Sequence, residues 1–193
     1  MKAGWPCPEA RAARRRLLAR AGAGACLLLL GAGRSAWAAL PADYAPLVIE
    51  PRALDGGRLE FDLRPALAAA RQAGKRLYVY LGASDCKFCR RYERFLHDNA
   101  AALKAPFARD WLVADLRSSL SVGPQQLLLR TGAQALPYAD FQRSIGDERA
   151  RLLVYPSVWL LDSSSAKPLM QMPAGTGTFE TVAEQLEILR LEQ

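Results

Sequence analysis

Two cysteines separated by two residues, Cys86 and Cys89, are the side chains in this sequence best suited to chemistry. A Cys-x-x-Cys pair can supply half of a zinc site or form a reversible disulfide. Structural zinc usually takes four ligands, but the sequence has only four cysteines and one histidine, His97. Two of those cysteines, Cys7 and Cys26, belong to an N-terminal segment with the pattern of a removable leader. The pair therefore favours redox chemistry over metal binding.

The residues around the pair predict different roles for its two thiols. Cys86 is predicted to open a helix, where unpaired backbone N–H groups and the helix dipole stabilise a thiolate. Lys87 and Arg90 add positive charge and Asp85 opposes it, so these three residues are predicted to tune the acidity of the Cys86 thiol. Cys89, one turn further and facing inward, is the predicted resolving thiol. Cys86 would attack a substrate disulfide and Cys89 would release the mixed disulfide, or the steps would run in reverse.

Apolar patterns predict the elements that position this pair. A continuous apolar run at 77–81 predicts a strand buried on both faces, and residues 82–85 predict a turn. Asp62 is predicted to cap an earlier helix over 63–73. The helix that follows the turn has one apolar face, made of Phe88, Tyr92, Phe95, Leu96 and Leu103.

The rest of the chain predicts further strands and helices around the same sheet. A short run at 47–49 is a candidate edge strand. The order of these elements predicts an α/β fold, with a central mixed sheet flanked by helices. The elements predicted downstream are a strand at 111–114 that ends at Asp115, helices near 124–130 and 138–145, a turn running into a strand over 154–162, a loop at 163–165, a return strand at 169–172 and a helix capped by Thr178.

The first 38 residues have the composition of a secretory signal peptide. They hold seven of the 26 basic residues and one of the 19 acidic residues. A short apolar stretch at 21–32 and the small-x-small site Ala36-Trp37-Ala38 follow the basic part, as in exported proteins. We therefore expect cleavage after Ala38 and a periplasmic or otherwise exported protein. Arg14-Arg15-Arg16-Leu17-Leu18 resembles the twin-arginine export motif.

Removal of this segment changes what the net charge implies. The formal charge of +7 reduces to 19 bases against 18 acids, which argues against a basic nucleic-acid-binding surface. The remainder, about 155 residues, suits one domain with a single core. We divide it into an N-terminal extension at 39–58 and a domain at 59–193, with an insert at 117–150.

The sequence resembles the thioredoxin superfamily, and particularly its exported members, over most of residues 59–191. Those proteins place a helix ending in A-x-x-x-G-K before the first core strand, and residues 70–75 match that pattern. The strand, the Cys-x-x-Cys pair, the amphipathic helix and the strand at Val113-Ala114-Asp115 follow in the family's order. Tyr155-Pro156-Ser157 resembles the Y-P-T segment that carries the family's cis-proline.

This resemblance implies a thioredoxin-like fold with an extended insert between the second core strand and the cis-proline. It implies an exported thiol–disulfide oxidoreductase that needs no cofactor and uses Cys86 and Cys89 as catalytic residues. Substrate would bind at Tyr155 and Pro156, which a cis peptide bond would join. The implied partners are protein thiols or disulfides and a redox-recycling protein, with no nucleic acid, no metal, and a membrane only for export.

Three features depart from the thioredoxin pattern. Asp85 stands where thioredoxins usually have Trp, and the pair Lys87-Phe88 differs from the usual Gly-Pro. Tyr80 stands where thioredoxin keeps a buried Asp that assists proton transfer at the resolving cysteine. Glu93 could take over this role, but its spacing predicts a surface ion pair with Arg90 or Arg94.

Two other interpretations remain open at the level of sequence. The chain could be a thioredoxin-like binding or chaperone-like module whose cysteines are oxidised and idle. It could also be a small metallochaperone that uses both thiolates, although the additional methionines or histidines typical of such proteins are missing. The sequence does not give the direction of electron flow, because that depends on how the surroundings stabilise the thiolate.

Overall fold

The computed structural model describes residues 39–145, 152–172 and 181–190, which form an α/β structure with two mixed sheets. Nine strands lie in these ranges. They are β1 (Leu47–Ile49), β2 (Arg52–Leu54), β3 (Arg58–Asp62), β4 (Arg76–Ala83), β5 (Trp111–Ser118), β6 (Leu127–Arg130), β7 (Ala135–Pro137), β8 (Ser157–Leu161) and β9 (Pro168–Met172).

The larger sheet has five strands in the order β1-β5-β4-β8-β9. Strands β1, β5 and β4 are parallel, whereas β8 is antiparallel to β4 and β9 is antiparallel to β8. The strands predicted from the apolar runs are confirmed, and β1 lies at an edge of the sheet as predicted. Strand β4 is buried along nearly its whole length, as its continuous apolar run predicts for a central strand.

Helices account for most of the remaining described residues. The α-helices are α1 (Arg64–Gln72), α2 (Lys87–Asp98), α3 (Ala100–Asp110), α4 (Tyr138–Phe141) and α5 (Val182–Arg190), with short 3-10 segments at Ala42–Tyr44, Asp55–Gly57 and Gln142–Ile145. None of the helices in these ranges combines the length and apolar character that a membrane span requires. The predicted cap of the last helix, Thr178, lies outside the described residues.

The chain breaks between α2 and α3, where the sequence pattern predicted one apolar face continuing to Leu103. Asn99 ends α2 with non-helical backbone angles, and its side-chain amide donates to the carbonyl of Phe95 at 2.8 Å. This bond satisfies a carbonyl that the end of the helix would otherwise leave unpaired. Leu103 is buried, but it lies on the separate helix α3.

The two faces of the larger sheet are covered by different elements. On one face, Leu77, Val79 and Leu81 of β4 belong to a core cluster that includes α1 and residues of the second sheet. On the opposite face, Tyr78 and Tyr80 belong to a cluster built with α2, α3 and α5. The alternation of side chains along β4 thus divides the core into two layers.

The second sheet has four strands in the order β2-β3-β6-β7 and was not predicted. The helix predicted near 124–130 is wrong, because residues 127–130 form strand β6, which pairs in parallel with β3. The helix predicted at 138–145 is confirmed as α4 and the 3-10 turn that follows it. Residues assigned to the extension (β2) and to the insert (β6 and β7) therefore belong to one sheet, in which β3 joins them.

A buried carboxylate stabilises the polar face of this second sheet. Glu60 of β3 is 5% exposed and accepts hydrogen bonds from Arg130 of β6 at 2.8 Å and from Arg52 of β2 at 3.0 Å. The hydrogen bond from Arg130, with a smaller one from Arg52, lowers the pKa of Glu60 to about 2 although burial opposes the shift. Glu60 is therefore ionised, and it cross-links three strands.

We expect the Glu60→Gln variant to lose about 1–2 kcal/mol of unfolding free energy at neutral pH, because both arginines lose their charged partner. The pKa of Glu60 is lower in the folded protein than in the unfolded chain. Its stabilisation is therefore complete above about pH 4.5 and is lost as the pH falls toward 2. Urea unfolding of both proteins at neutral pH and at about pH 3 measures this difference.

The matched control for this prediction is Glu50→Gln, since Glu50 is an exposed glutamate just before β2. We expect this control to have little effect at either pH. A Glu60→Gln protein whose deficit is as large in acid as at neutral pH would contradict the assigned role of the carboxylate.

Candidate functional site

The two cysteines lie where strand β4 turns into helix α2, and they are paired as a disulfide. The predicted turn at 82–85 is shorter than expected, because Gly82 and Ala83 continue β4 and only Ser84 and Asp85 turn. Cys86 is the N-cap residue of α2, and its Sγ accepts a hydrogen bond from the N–H of Cys89 at 3.1 Å. Negative charge on this sulfur is therefore favoured by the start of the helix.

The two cysteines are both buried and differ in their position relative to a cleft. Cys86 is 2% exposed and Cys89 is completely buried. Cys86 lines a cleft of about 630 Å³, and Cys89 is not among the lining residues. The walls of the cleft are the start of α2, the loop at 120–124 and the segment at 153–155. A partner that enters the cleft therefore reaches Cys86 before Cys89.

The segment that carries Pro156 forms one wall of this cleft. The peptide bond between Tyr155 and Pro156 is cis, as predicted. The carbonyl oxygen of Tyr155 lies 3.6 Å from the Cys86 Sγ, so the fold brings together residues that are far apart in the chain. Burial raises the pKa of Tyr155, so its phenol stays protonated. The structure thus gathers Cys86, Cys89, Tyr155 and Pro156 in one place.

The charged residues predicted to tune Cys86 are all exposed, and each of them has a contact with a neighbouring residue. The carboxylate of Asp85 accepts a hydrogen bond from the N–H of Leu120 at 3.0 Å, which attaches the loop at 120–124 to the start of α2. The Nζ of Lys87 lies 5.1 Å from the centre of the Phe88 ring. Arg90 extends toward the carbonyl of Ser84 at 3.5 Å. The contact between Asp85 and Leu120 was not predicted, since nothing in the local sequence indicates it.

Phe88 does not face the core as predicted, because 46% of its surface is exposed at the cleft. The buried face of α2 is instead formed by Cys89, Tyr92, Glu93 and Leu96, at the spacing of one helix stripe. With these four residues buried, the residue before Cys89 points outward. Phe88 is therefore available to contact a partner.

Glu93 is the largest departure from the sequence-based expectation. The predicted surface ion pair with Arg90 or Arg94 is wrong, because Glu93 is only 6% exposed. Its carboxylate accepts hydrogen bonds from the Tyr80 hydroxyl at 2.8 Å and from Arg117 at 2.5 Å. We call Tyr80, Glu93, Asp115 and Arg117 the buried charge cluster. Arg117 also pairs with Asp115 at 2.9 Å, and Asp115 accepts from the N–H of Leu40.

The backbone around this cluster is shaped to admit the arginine. A Cβ atom on Gly82 would lie 2.6 Å from a guanidinium nitrogen of Arg117 and 2.9 Å from the ring of Tyr80, so the absence of a side chain there makes room for both. Burial, followed by the nearby Glu93, raises the pKa of Tyr80 well above its ordinary value, so the hydroxyl remains a donor. Glu93 lies one helical turn beyond Cys89 on the same buried face.

Comparison with known proteins assigns no family and no function to this site. The chain matches no protein-family model, and no curated protein sequence matches it.

Proposed function

We propose that this protein is an exported thiol–disulfide oxidoreductase of thioredoxin-like fold, with Cys86 and Cys89 as its catalytic pair. The observation that carries the proposal is the arrangement of Cys86. Its sulfur lies at a helix N-terminus, opens onto a cleft, and is 3.6 Å from the backbone carbonyl before a cis-proline. This arrangement combines thiolate stabilisation with access and with a backbone group that can bind a polypeptide.

The sequence of elements also supports the proposal. A thioredoxin-like chain is expected to run from a core strand through Cys-x-x-Cys and a helix to a second strand, then through a cis-proline to a strand hairpin and a last helix. The described elements β4, α2, β5, Pro156, β8, β9 and α5 follow that order. The second sheet is the main addition to it.

The proposed reaction is thiol–disulfide exchange. In the reductive direction, the Cys86 thiolate attacks a partner disulfide, forms a mixed disulfide and releases one partner thiolate. Cys89 then attacks the Cys86 sulfur, re-forms the internal disulfide and releases the second partner thiolate. Two electrons pass from the cysteine pair to the partner, and a recycling protein must return them. The oxidative direction follows the same steps in reverse.

Insulin reduction by dithiothreitol tests this function. The purified protein is expected to accelerate precipitation of the insulin B chain, and the Cys86→Ser protein is expected to match the rate without protein. A wild-type protein that gives no acceleration, and that also fails to oxidise reduced peptides, would contradict the redox function. That result would favour a binding module with an idle disulfide.

Equilibration with glutathione buffers gives the direction of electron flow. A reduction potential near −120 mV indicates an oxidant of partner thiols, and a potential near −270 mV indicates a reductant. The measured quantity is the fraction of the Cys86–Cys89 pair that is oxidised at each buffer ratio.

Export through a cleaved signal peptide belongs to the same proposal, since stable disulfide exchange suits an oxidising compartment. The predicted leader and the site after Ala38 lie outside the described residues. We expect N-terminal sequencing of the protein from a periplasmic fraction to begin at Ala39. Recovery of the uncleaved chain in the cytosol would contradict this expectation.

A further inference from the structure

The outward side of α2 carries a stripe of positive charge that begins next to Cys86. Lys87, Arg90 and Arg94 are spaced by three and four residues, which places them on one side of the helix. All three side chains are exposed. Within the part of the chain that the structure describes, no carboxylate lies within ion-pair distance of any of them. We call these three residues the basic stripe.

Two of the acidic residues near the stripe are directed elsewhere, and a third, Asp98, lies one turn beyond Arg94 at the end of α2 that is remote from Cys86. The carboxylate of Asp85 accepts the N–H of Leu120, at the opposite wall of the cleft. Glu93 points into the core toward Arg117. The first turn of α2 has no acidic residue, and the helix N-terminus adds positive potential of its own. Lys87, Arg90 and Arg94 therefore outnumber the one carboxylate at the start of α2, that of Asp85, and the approach to Cys86 along α2 carries a net positive charge.

The cleft beside the stripe has apolar walls. Phe88 is 46% exposed, Leu120 is 52% exposed and Val154 is 41% exposed. Apolar side chains with such exposure around one concave site are typical of surfaces that contact another molecule. The carbonyl of Tyr155 provides a hydrogen-bond acceptor at the same site. Apolar contacts next to a backbone carbonyl suit an extended polypeptide.

We propose that the partner of this site is a polypeptide segment in which the reacting cysteine lies beside apolar and acidic residues. The apolar residues would occupy the cleft, and the carboxylates would lie along the basic stripe. This inference rests on the proposed redox function and specifies its substrate class. Complementary charge accelerates encounter and selects among partners more than it changes the chemistry itself.

Three synthetic peptides of equal length test the proposal. Each has one cysteine in a mixed disulfide with nitrothiobenzoate and a shared apolar residue next to it. The flanking residues are glutamate in the first peptide, glutamine in the second and lysine in the third. The protein is reduced beforehand and separated from the reductant, and the coloured nitrothiobenzoate released is followed over time.

The probe is reduced in two exchange steps. The Cys86 thiolate attacks the peptide sulfur, and nitrothiobenzoate leaves with the electron pair of the broken S–S bond. Cys89 then attacks the Cys86 sulfur to form the internal disulfide. The peptide leaves as a thiolate and takes up the proton that Cys89 loses. Two electrons have passed from the cysteine pair to the probe.

At low ionic strength we expect the acidic peptide to react about tenfold faster than the basic peptide, with the neutral peptide between them. The difference should shrink at high salt, because screening shortens the reach of the charges. Arg94→Glu is expected to reduce the acidic-to-basic ratio by about threefold or more. The ratio is the readout, since a general change in thiolate reactivity alters all three rates together.

Arg71→Glu is the matched control. Arg71 is an exposed arginine in the last turn of α1, which packs on the opposite face of the sheet from α2. This charge reversal should leave the ratio unchanged. Equal rates for the three peptides would overturn the acidic-partner proposal while leaving the redox function standing. Equal rates combined with sedimentation of the protein on anionic lipid vesicles would assign the stripe to a membrane surface and would also overturn it.

Failure of the redox function gives a different result in the same assay. In that case no peptide releases nitrothiobenzoate faster with the wild-type protein than with Cys86→Ser. The two failures are thus distinguished by whether release depends on Cys86 at all.

Discussion

The Cys89→Ser protein is expected to accumulate mixed disulfides with its partner proteins, whereas the Cys86→Ser protein is expected to accumulate almost none. Cys86 lines the cleft, and Cys89 lies behind it with no exposed surface. A partner therefore bonds to Cys86, and without Cys89 the mixed disulfide has no internal thiol to release it. Non-reducing gels of cells that express each variant measure this accumulation, and mass spectrometry identifies the partners.

The same asymmetry predicts a large kinetic effect. Replacement of Cys86 removes the nucleophile, so turnover should fall by about 10³-fold or more. The double variant Cys86→Ser, Cys89→Ser should behave like the Cys86→Ser protein. Equal trapping by the two single variants would contradict an ordered mechanism, and trapping by neither would contradict covalent exchange with protein partners.

The sequence predicted those strands and helices that a short stretch of residues is enough to indicate. The run at 77–81 is apolar without a break, and such a run in a short segment is typical of a central strand. Strand β6 has no such local signal. Leu127, Leu128 and Leu129 are all apolar, so the sequence does not reveal that only alternate residues are buried. Its strand conformation depends on pairing with β3, which is remote in the chain.

The residues of the candidate site likewise include some that the local sequence indicates and others that it does not. Cys86 and Cys89 could be identified from their spacing, and the cis bond before Pro156 from a short motif. The environment of Glu93 could not be identified from the sequence, because its partners come from β4 and β5. Arg90 and Arg94 offered nearer partners in the sequence, but the rotation of α2 directs Glu93 inward to Arg117. Packing of the whole helix, rather than local charge spacing, decides which pair forms.

Arg117→Met is expected to lower the free energy of unfolding by about 3–5 kcal/mol, because it leaves two buried carboxylates without their cation. Arg117 pairs with Glu93 and Asp115, which are 6% and 1% exposed. Methionine retains most of the apolar stem but has no donor for either carboxylate. Urea unfolding at neutral pH, with the cysteine pair oxidised in every sample, measures the loss.

An exposed pair provides the control for this prediction. Arg109 and Asp110 are 2.7 Å apart, with 72% of the arginine side chain exposed, so Arg109→Met should leave the free energy of unfolding nearly unchanged. A second comparison distinguishes lost charge pairing from lost packing. If unpaired carboxylates cause the defect, adding Glu93→Gln and Asp115→Asn to the Arg117→Met protein should recover part of the stability, since neutral amides are less costly to bury. A combined variant that is no more stable than Arg117→Met would contradict the role assigned to the buried charge cluster. Equal losses of stability for Arg117→Met and Arg109→Met would contradict it as well.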